Sequence, residues 1–265
     1  MNLKNFKTLV VYSYYEALNP NSETLWRKEN LNFFLKHGIV NDSNVDYKFI
    51  INGGKVGIEI PSKRNIKVYE RPNIGMEFCG INEILEKNIK KDYKYFIFLN
   101  GSIRGPFLPK YLKSNYWIEG LISSITDKKK LSGITINCNG AYEKLHIQSF
   151  LLVTDMTGLN IIRPSFRCYE KKQDAINNVE VAVSQKILKA GFNLASMMAF
   201  WYDHNFNDKY NTLRKCNIIS SKTGGDLMYP NQYFGMDPNP FELMFVKTNR
   251  RIAETKAIEF YSRYT

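Results

Sequence analysis

Four short apolar runs in the first hundred residues constrain this chain more than any other feature. Thr8–Tyr15 (TLVVYSYY), Val45–Gly53 (VDYKFIING), Asn65–Arg71 (NIKVYER) and Tyr95–Asn100 (YFIFLN) are rich in β-branched and aromatic residues, the composition of strands. Between the first two, Leu25, Trp26, Phe33 and Phe34 give a helix an apolar face that stops near His37 and Gly38. Between the third and fourth, Ile81, Ile84 and Leu85 do the same. The order strand–helix–strand–strand–helix–strand predicts an α/β fold, a mostly parallel central sheet flanked by helices. The fourth run lacks polar alternation, as expected of a strand buried on both faces. The turn after it, Asn100-Gly101-Ser102, then stands at the C-terminal edge, where open α/β sheets bind ligands.

The second half is less regular. Helices are predicted over Tyr116–Ile125 and from Asn177 or Asn178 to Gly191. Strands are predicted over Leu131–Cys138, His146–Asp155 and Leu194–Trp201, and a further helix after the turn Asp237–Pro240. No repeat, low-complexity linker or shift in composition marks a boundary, so 1–265 is expected to form a single domain.

The formal net charge of +12 favours an anionic partner: nucleic acid, a membrane surface or a phosphate-bearing substrate. The densest run, Asp127 to Lys130, reads as a solvated loop, and no basic stripe is interleaved with aromatics, which disfavours nucleic acid. No apolar segment reaches spanning length and the N-terminus lacks a small-residue cleavage site, so a soluble cytoplasmic protein is expected. Cys79, Cys138, Cys168 and Cys216 are far apart and form no CxxC pair. This predicts reduced, buried thiols rather than a zinc site or a disulfide framework.

Five stretches in order carry a resemblance: NIGMEF (73–78), FLNGSIRGPFLP (98–109), HIQSFLLVTD (146–155), VEVAVSQKILKAGFNLASM (179–197) and NPFELMFVKTNR (239–250). Together they resemble the rhamnan-synthesis-type glycosyltransferases and related eukaryotic and large-DNA-virus sequences, over about residues 8–252. The resemblance implies a GT-A-like, Rossmann-related fold. Residues 1–115 would be the nucleotide-sugar-binding half and 116–265 the acceptor and catalytic half. It implies transfer of a sugar, by the family name a deoxyhexose such as rhamnose, from a nucleoside-diphosphate donor to a hydroxyl of a glycan acceptor.

The residues place that chemistry as follows. Tyr12, Ser13 and Tyr14 end the first strand; the tyrosines either stack on a base or cover the sheet edge, and Ser13 can bond a ribose or phosphate oxygen. In ERPNIGMEF, Asn73 and Gly75 mark a turn, Gly75 permits the close backbone approach that a phosphate or sugar site requires, Arg71 can meet a phosphate and Glu77 can accept bonds from sugar hydroxyls. Asn100 and Ser102 offer only neutral oxygens where a divalent cation wants carboxylates. The leaving diphosphate is then expected to rely on Arg104, Lys247, Arg250 and Arg251, and a divalent metal such as Mn²⁺ or Mg²⁺ is not strictly required. The other reading of Arg104 is a loop brace. Glu180 is either the base of an inverting transfer or a carboxylate stabilised by its helix N-terminus. Asp155 is the second choice of base and otherwise a helix cap. His146 and Gln148, on one face of a strand, and His204 are candidate acceptor contacts. A catalytically inactive nucleotide- or carbohydrate-binding domain of the same fold is the alternative, and a basic nucleic-acid-binding protein a third reading.

Overall fold

The runs that predict strands form them, because each is apolar enough to be covered on both faces. The computed structural model describes residues 6–16, 22–54, 56–88, 92–138, 141–219 and 225–264. In chain order the first half comprises β1 (Lys7–Tyr15), α1 (Ser22–His37), β2 (Val45–Asn52), β3 (Ile66–Arg71), α2 (Met76–Asn88), β4 (Tyr93–Asn100), β5 (Ile103–Arg104) and α3 (Tyr116–Ser123). The second half comprises β6 (Lys129–Gly133), β7 (Ile136–Asn137), β8 (His146–Ile147), β9 (Leu151–Asp155), α4 (Met156–Ile162), α5 (Lys172–Ala175), α6 (Ala182–Lys189), β10 (Asn193–Ser196), α7 (Lys209–Ile218), α8 (Pro240–Leu243), β11 (Val246–Lys247) and α9 (Lys256–Tyr264).

Seven strands form one sheet in the order β3-β2-β1-β4-β9-β6-β10, parallel except for β9. Register brings Tyr15 beside Asn52, Asn52 beside Arg71 and Ser13 beside Asn100. The polar ends of four strands therefore share one edge. In β9, by contrast, Asp155 pairs with Tyr95 near the start of β4, which puts it towards the opposite edge.

Helices cover both faces. On one side Phe34 of α1 packs on Tyr12 and Trp117 of α3, with ring centroids at 4.9 and 5.7 Å. On the other, Phe78 of α2 meets Phe166, and Phe166 meets Phe98 of β4. Leu9, Val10, Val11, Phe96, Ile97 and Phe98 are wholly buried or nearly so, each contributing roughly 1.5–3 kcal/mol. The C-terminal segment closes the fold by pairing β11 with β5, antiparallel. A second small core of Phe33, Phe107, Val246, Ile252 and Ile258 forms beneath it. The chain is thus a single α/β domain.

Three expectations are corrected here. Residues 172–189 are helical throughout, with Ile176–Val181 wound as a π-helix between α5 and α6, so Asn177 and Asn178 lie inside the helix and do not cap it. Strand β10 stops at Ser196, and a 3₁₀ turn occupies Ala199–Trp201. The cysteines are not free thiols: Cys79 is bonded to Cys168 and Cys138 to Cys216. Sequence separations of 89 and 78 hid pairs that tertiary folding brings together. Among the described residues, no helix is long and apolar enough to cross a membrane.

Candidate active site

The shared edge of β1, β2 and β4 opens into a cavity of about 300 Å³ whose lining includes Ser13, Tyr15, Arg27, Asn73, Glu77 and Asn100. Its floor is a line of hydrogen bonds. Asn52 donates to Ser13 Oγ at 3.1 Å and to the Tyr14 carbonyl at 3.0 Å, and its own Oδ1 accepts from Arg71 at 2.9 Å. Arg71 also makes two bonds to Glu83, of 2.8 and 3.1 Å, and donates to the Ile74 carbonyl and to Cys79 Sγ. Every N–H of this guanidinium is thereby occupied, so Arg71 shapes the floor instead of meeting a phosphate, a correction to its expected role.

The wall comes from the start of α2. Gly75 and Met76 are both left-handed, with φ of 76° and 63°. At Met76 this backbone is uncommon and costs of the order of 1 kcal/mol. A Cβ on Gly75 would lie 2.7 Å from Cys168 Cβ, so glycine is required there by the disulfide and the backbone, not by a phosphate. The turn aims Glu77 at Asn100, whose Nδ2 donates to Glu77 Oε2 at 2.5 Å. Asn100 has no freedom to rotate, because its Oδ1 accepts from both the Ser102 main-chain N–H and the Ser102 hydroxyl, at 3.0 and 2.6 Å. Burial pushes the Glu77 carboxyl up to about 7; Glu180 adds to that rise, while the Asn100 bond, Lys247 and Arg27 oppose it.

Lys247 reaches the same place from β11, paired with Ile103 just past the turn. Its Nζ stands 5.4 Å from the Phe150 ring. Burial lowers its pKa, Arg250 lowers it further, and Asp226, Glu180 and Glu77 resist. Arg250 pairs with Asp226 at 3.4 Å and lies over the Tyr229 ring at 5.2 Å. Glu77, Glu180 and Lys247 therefore sit within electrostatic reach of one another, with Arg250 and Asp226 beside the lysine.

Two of the sequence stretches lock together here. Glu180 and Ser184, one helical turn apart, accept the main-chain N–H groups of Ser149 and Ile147 at 3.2 and 3.0 Å. The two N–H groups lie two residues apart, at the end of β8 and in the turn after it, and their acceptors lie four apart on one face of the helix. His146, buried, places Nε2 3.9 Å from Glu180 Oε1. Glu180 lies inside the π-helical turn, well past the helix start at Lys172, so helix N-terminal stabilisation does not account for it. Single π turns are frequent at functional sites.

Of the remaining expected residues, Tyr14 lines the cavity, and most of the others are engaged away from it. Arg104 is buried and gives its guanidinium to Glu29, Asn30 and Ser262 at 2.6, 3.1 and 3.1 Å. Asn30 in turn holds the Gly101 carbonyl and Thr248. The brace reading of Arg104 describes this geometry and the phosphate contact does not. Asp155 caps α4 by accepting from Gly158 N and pairs with Lys130 at 2.6 Å. At the far edge of the sheet, it is not placed to act as a base. His204 bonds Thr212, and its carbonyl accepts from Asn193 at the start of β10, also away from the cavity. Gln148 Oε1 accepts from the Thr135 hydroxyl at 2.6 Å. Tyr12 is buried against Phe34 and Phe49, and the Tyr14 hydroxyl donates to Glu16. The partly exposed aromatic at the cavity is Tyr15, with Arg27 over its ring at 5.6 Å. Arg251 begins a 3₁₀ turn in a left-handed conformation.

Tyr15, Arg27, Ser149 and Asp226 were not singled out from sequence. Tyr15 had a signal, since it is the last residue of the strand whose neighbours were chosen; Asp226, in an irregular segment, had none.

A resident divalent cation does not fit the donor set. Among the described residues lining the cavity, Glu77 is the sole carboxylate, and one of its oxygens accepts from Asn100. The one close trio of possible metal ligands found among the described residues is Cys79, Glu83 and Cys168. Its sulfurs are bonded to each other and its carboxylate is held by Arg71.

No protein-family model matches the chain, and no curated protein matches it. Solved structures similar to it include the following three. The glycosyltransferase GlyE of Streptococcus pneumoniae TIGR4 is 12% identical, with a TM-score of 0.47, over 98% of this chain and 60% of that one; the chain thus spans well under two thirds of GlyE's length. A protein described as a nucleotide-diphospho-sugar transferase, from Desulfovibrio desulfuricans G20, is 7% identical, with a TM-score of 0.45, over 80% of this chain and 96% of that one. The 4-diphosphocytidyl-2C-methyl-D-erythritol synthase of Anaerococcus prevotii DSM 20548 is 9% identical, with a TM-score of 0.39, over 73% and 87%.

Proposed function

We propose that this chain is a glycosyltransferase that moves a sugar from a nucleoside-diphosphate donor to a hydroxyl of a glycan acceptor, with inversion. The observation that carries the reading is the cavity at the polar ends of β1 and β4, where Asn100 holds Glu77 and where Glu180 and Lys247 lie within electrostatic reach of that carboxyl. Crevices at such strand ends are where open α/β sheets take nucleotides. In this reading Tyr15 faces the base, Ser13 and Asn73 the ribose, and Asn100, Ser102 and Glu77 the sugar. A deoxyhexose such as rhamnose is the donor sugar that the sequence resemblance favours.

The step balances with side chains alone. Glu180 takes the acceptor hydroxyl proton while that oxygen forms its bond to the anomeric carbon. The bond from that carbon to the diphosphate oxygen breaks, and its electron pair leaves with the nucleoside diphosphate. Lys247, assisted by Arg250, stabilises the charge that develops there, an effect strongest where water is excluded. A cation in this place does the work that two carboxylates and a metal do elsewhere, so transfer is proposed to persist in chelator.

The scarcity of carboxylates at the strand end also favours a second reading, a domain of the same fold that binds a nucleotide or carbohydrate without turnover. A thermal-shift screen of UDP-, GDP-, TDP- and CDP-sugars, with chelator and with Mn²⁺, tests both for donor binding. Stabilisation by one donor class in chelator supports the proposed site. Stabilisation by none, or only with Mn²⁺, removes the cation-based account. Release of nucleoside diphosphate then separates an enzyme from a binding domain.

A further inference from the structure

We infer that His146 is a positioning residue for Glu180, its ring setting the local field in which that carboxylate acts as the base of the transfer; this rests on the function proposed above. The argument starts from a tautomer. His146 Nδ1 lies 2.6 Å from the Lys144 carbonyl, and a carbonyl oxygen only accepts hydrogen bonds, so Nδ1 carries the hydrogen. In the neutral ring Nε2 is then a bare lone pair. It faces Glu180 Oε1 at 3.9 Å, inside a strand segment that is almost fully buried. At that distance no proton is shared between them, so the ring acts on the carboxylate through charge: a neutral ring turns a lone pair to it and a protonated ring a positive N–H.

The rest of Glu180 agrees with this. Oε1 is fixed by the Ser149 N–H at 3.2 Å, while Oε2 has no hydrogen-bond partner among the described residues. One oxygen is thus anchored next to the histidine and the other is left for a substrate proton. The acceptor hydroxyl gives its proton to Oε2, while Oε1 keeps the Ser149 contact beside the ring. Loss of that proton to solvent restores the carboxylate, so no co-reactant is needed. The charged groups facing the pair are Glu77 from the start of α2 and Lys247 from β11, both through Glu180.

Two variants separate this role from a merely structural one. His146→Asn keeps a donor near Nδ1 for the Lys144 carbonyl but has nothing at Nε2; His146→Gln does the reverse. The expected result is that the Asn variant melts and binds nucleoside diphosphate as wild type does, yet loses on the order of tenfold or more in kcat, with a changed acid limb of its pH profile. Wild-type kcat and pH profile in the Asn variant would overturn the inference, as would equal loss of folding and binding. A second readout does not depend on turnover: ring ¹⁵N signals of His146 followed over about pH 5–9. The expected spectrum shows the proton on Nδ1 at high pH and a titration that changes on Glu180→Gln. An unchanged titration sinks the inference even if transfer is never detected, whereas failure of donor binding alone refutes only the proposed function.

Discussion

Asn100 donates from Nδ2 to Glu77 Oε2 at 2.5 Å across 23 residues of chain. The strand-end turn therefore acquires its carboxylate from the start of a helix instead of from its own sequence. That helix start is fixed by a left-handed pair of residues and a disulfide, and through Asn100 it is tied to the turn at the end of β4.

The Glu77 carboxyl is held at about 7 in the fold against an ordinary 4.5, so the native state binds this proton more tightly than the unfolded chain. Its contribution is present below about pH 4.5 and is lost as pH rises through 7. Glu77→Gln removes the cost of ionising there. The variant is expected to exceed wild type in stability at about pH 8, by on the order of 2 kcal/mol, with the gap closing towards about pH 5. Urea unfolding of both proteins at the two pH values checks this.

Lys247 and Arg104 are neighbours on paired strands with different expected phenotypes. Lys247→Met removes a charge that burial already disfavours. It should leave the Tm unchanged or raised while weakening nucleoside-diphosphate affinity on the order of ten- to a hundredfold, the worth of a charged hydrogen bond. Arg104→Met strands the buried Asn30, and should lower stability by about 1–3 kcal/mol with affinity near wild type. Calorimetric titration and thermal melts on each variant decide the matter.

The two disulfides close long loops, and each should contribute a few kcal/mol. Replacing Cys138 and Cys216 by Ser is expected to lower Tm alone. Replacing Cys79 and Cys168 by Ser should lower Tm and also weaken donor binding, because that bond clamps the turn that aims Glu77. Equal donor affinity in the two double variants would contradict this.

The sheet was legible because β1, β2 and β4 are buried on both faces, and such strands announce themselves as unbroken apolar runs. The site was legible only in part. Glu77, Asn100, Lys247 and Glu180 were chosen from local patterns, and the fold brings them together. Arg71 was misread and Arg104 stayed open between two readings because a guanidinium beside a turn looks the same in sequence whether it faces a ligand or its own chain. Only the positions of Glu83 and Glu29, set by tertiary packing, tell the difference. The helix start at Lys172 was missed because Asn177 and Asn178 imitate a cap, and the π turn that displaces Glu180 has no signature of its own. The disulfides were missed because cysteine spacing says nothing about which strand-end loops approach.

The most direct measurement is release of nucleoside diphosphate from a binding donor in the presence of chelator, comparing wild type with Glu180→Gln at matched donor occupancy. The expected result is turnover by wild type and a loss on the order of a hundredfold or more in the variant, with donor affinity retained. Equal release by both proteins, or release that appears only when Mn²⁺ is supplied, would contradict transfer driven by Glu180 and a lysine-held diphosphate.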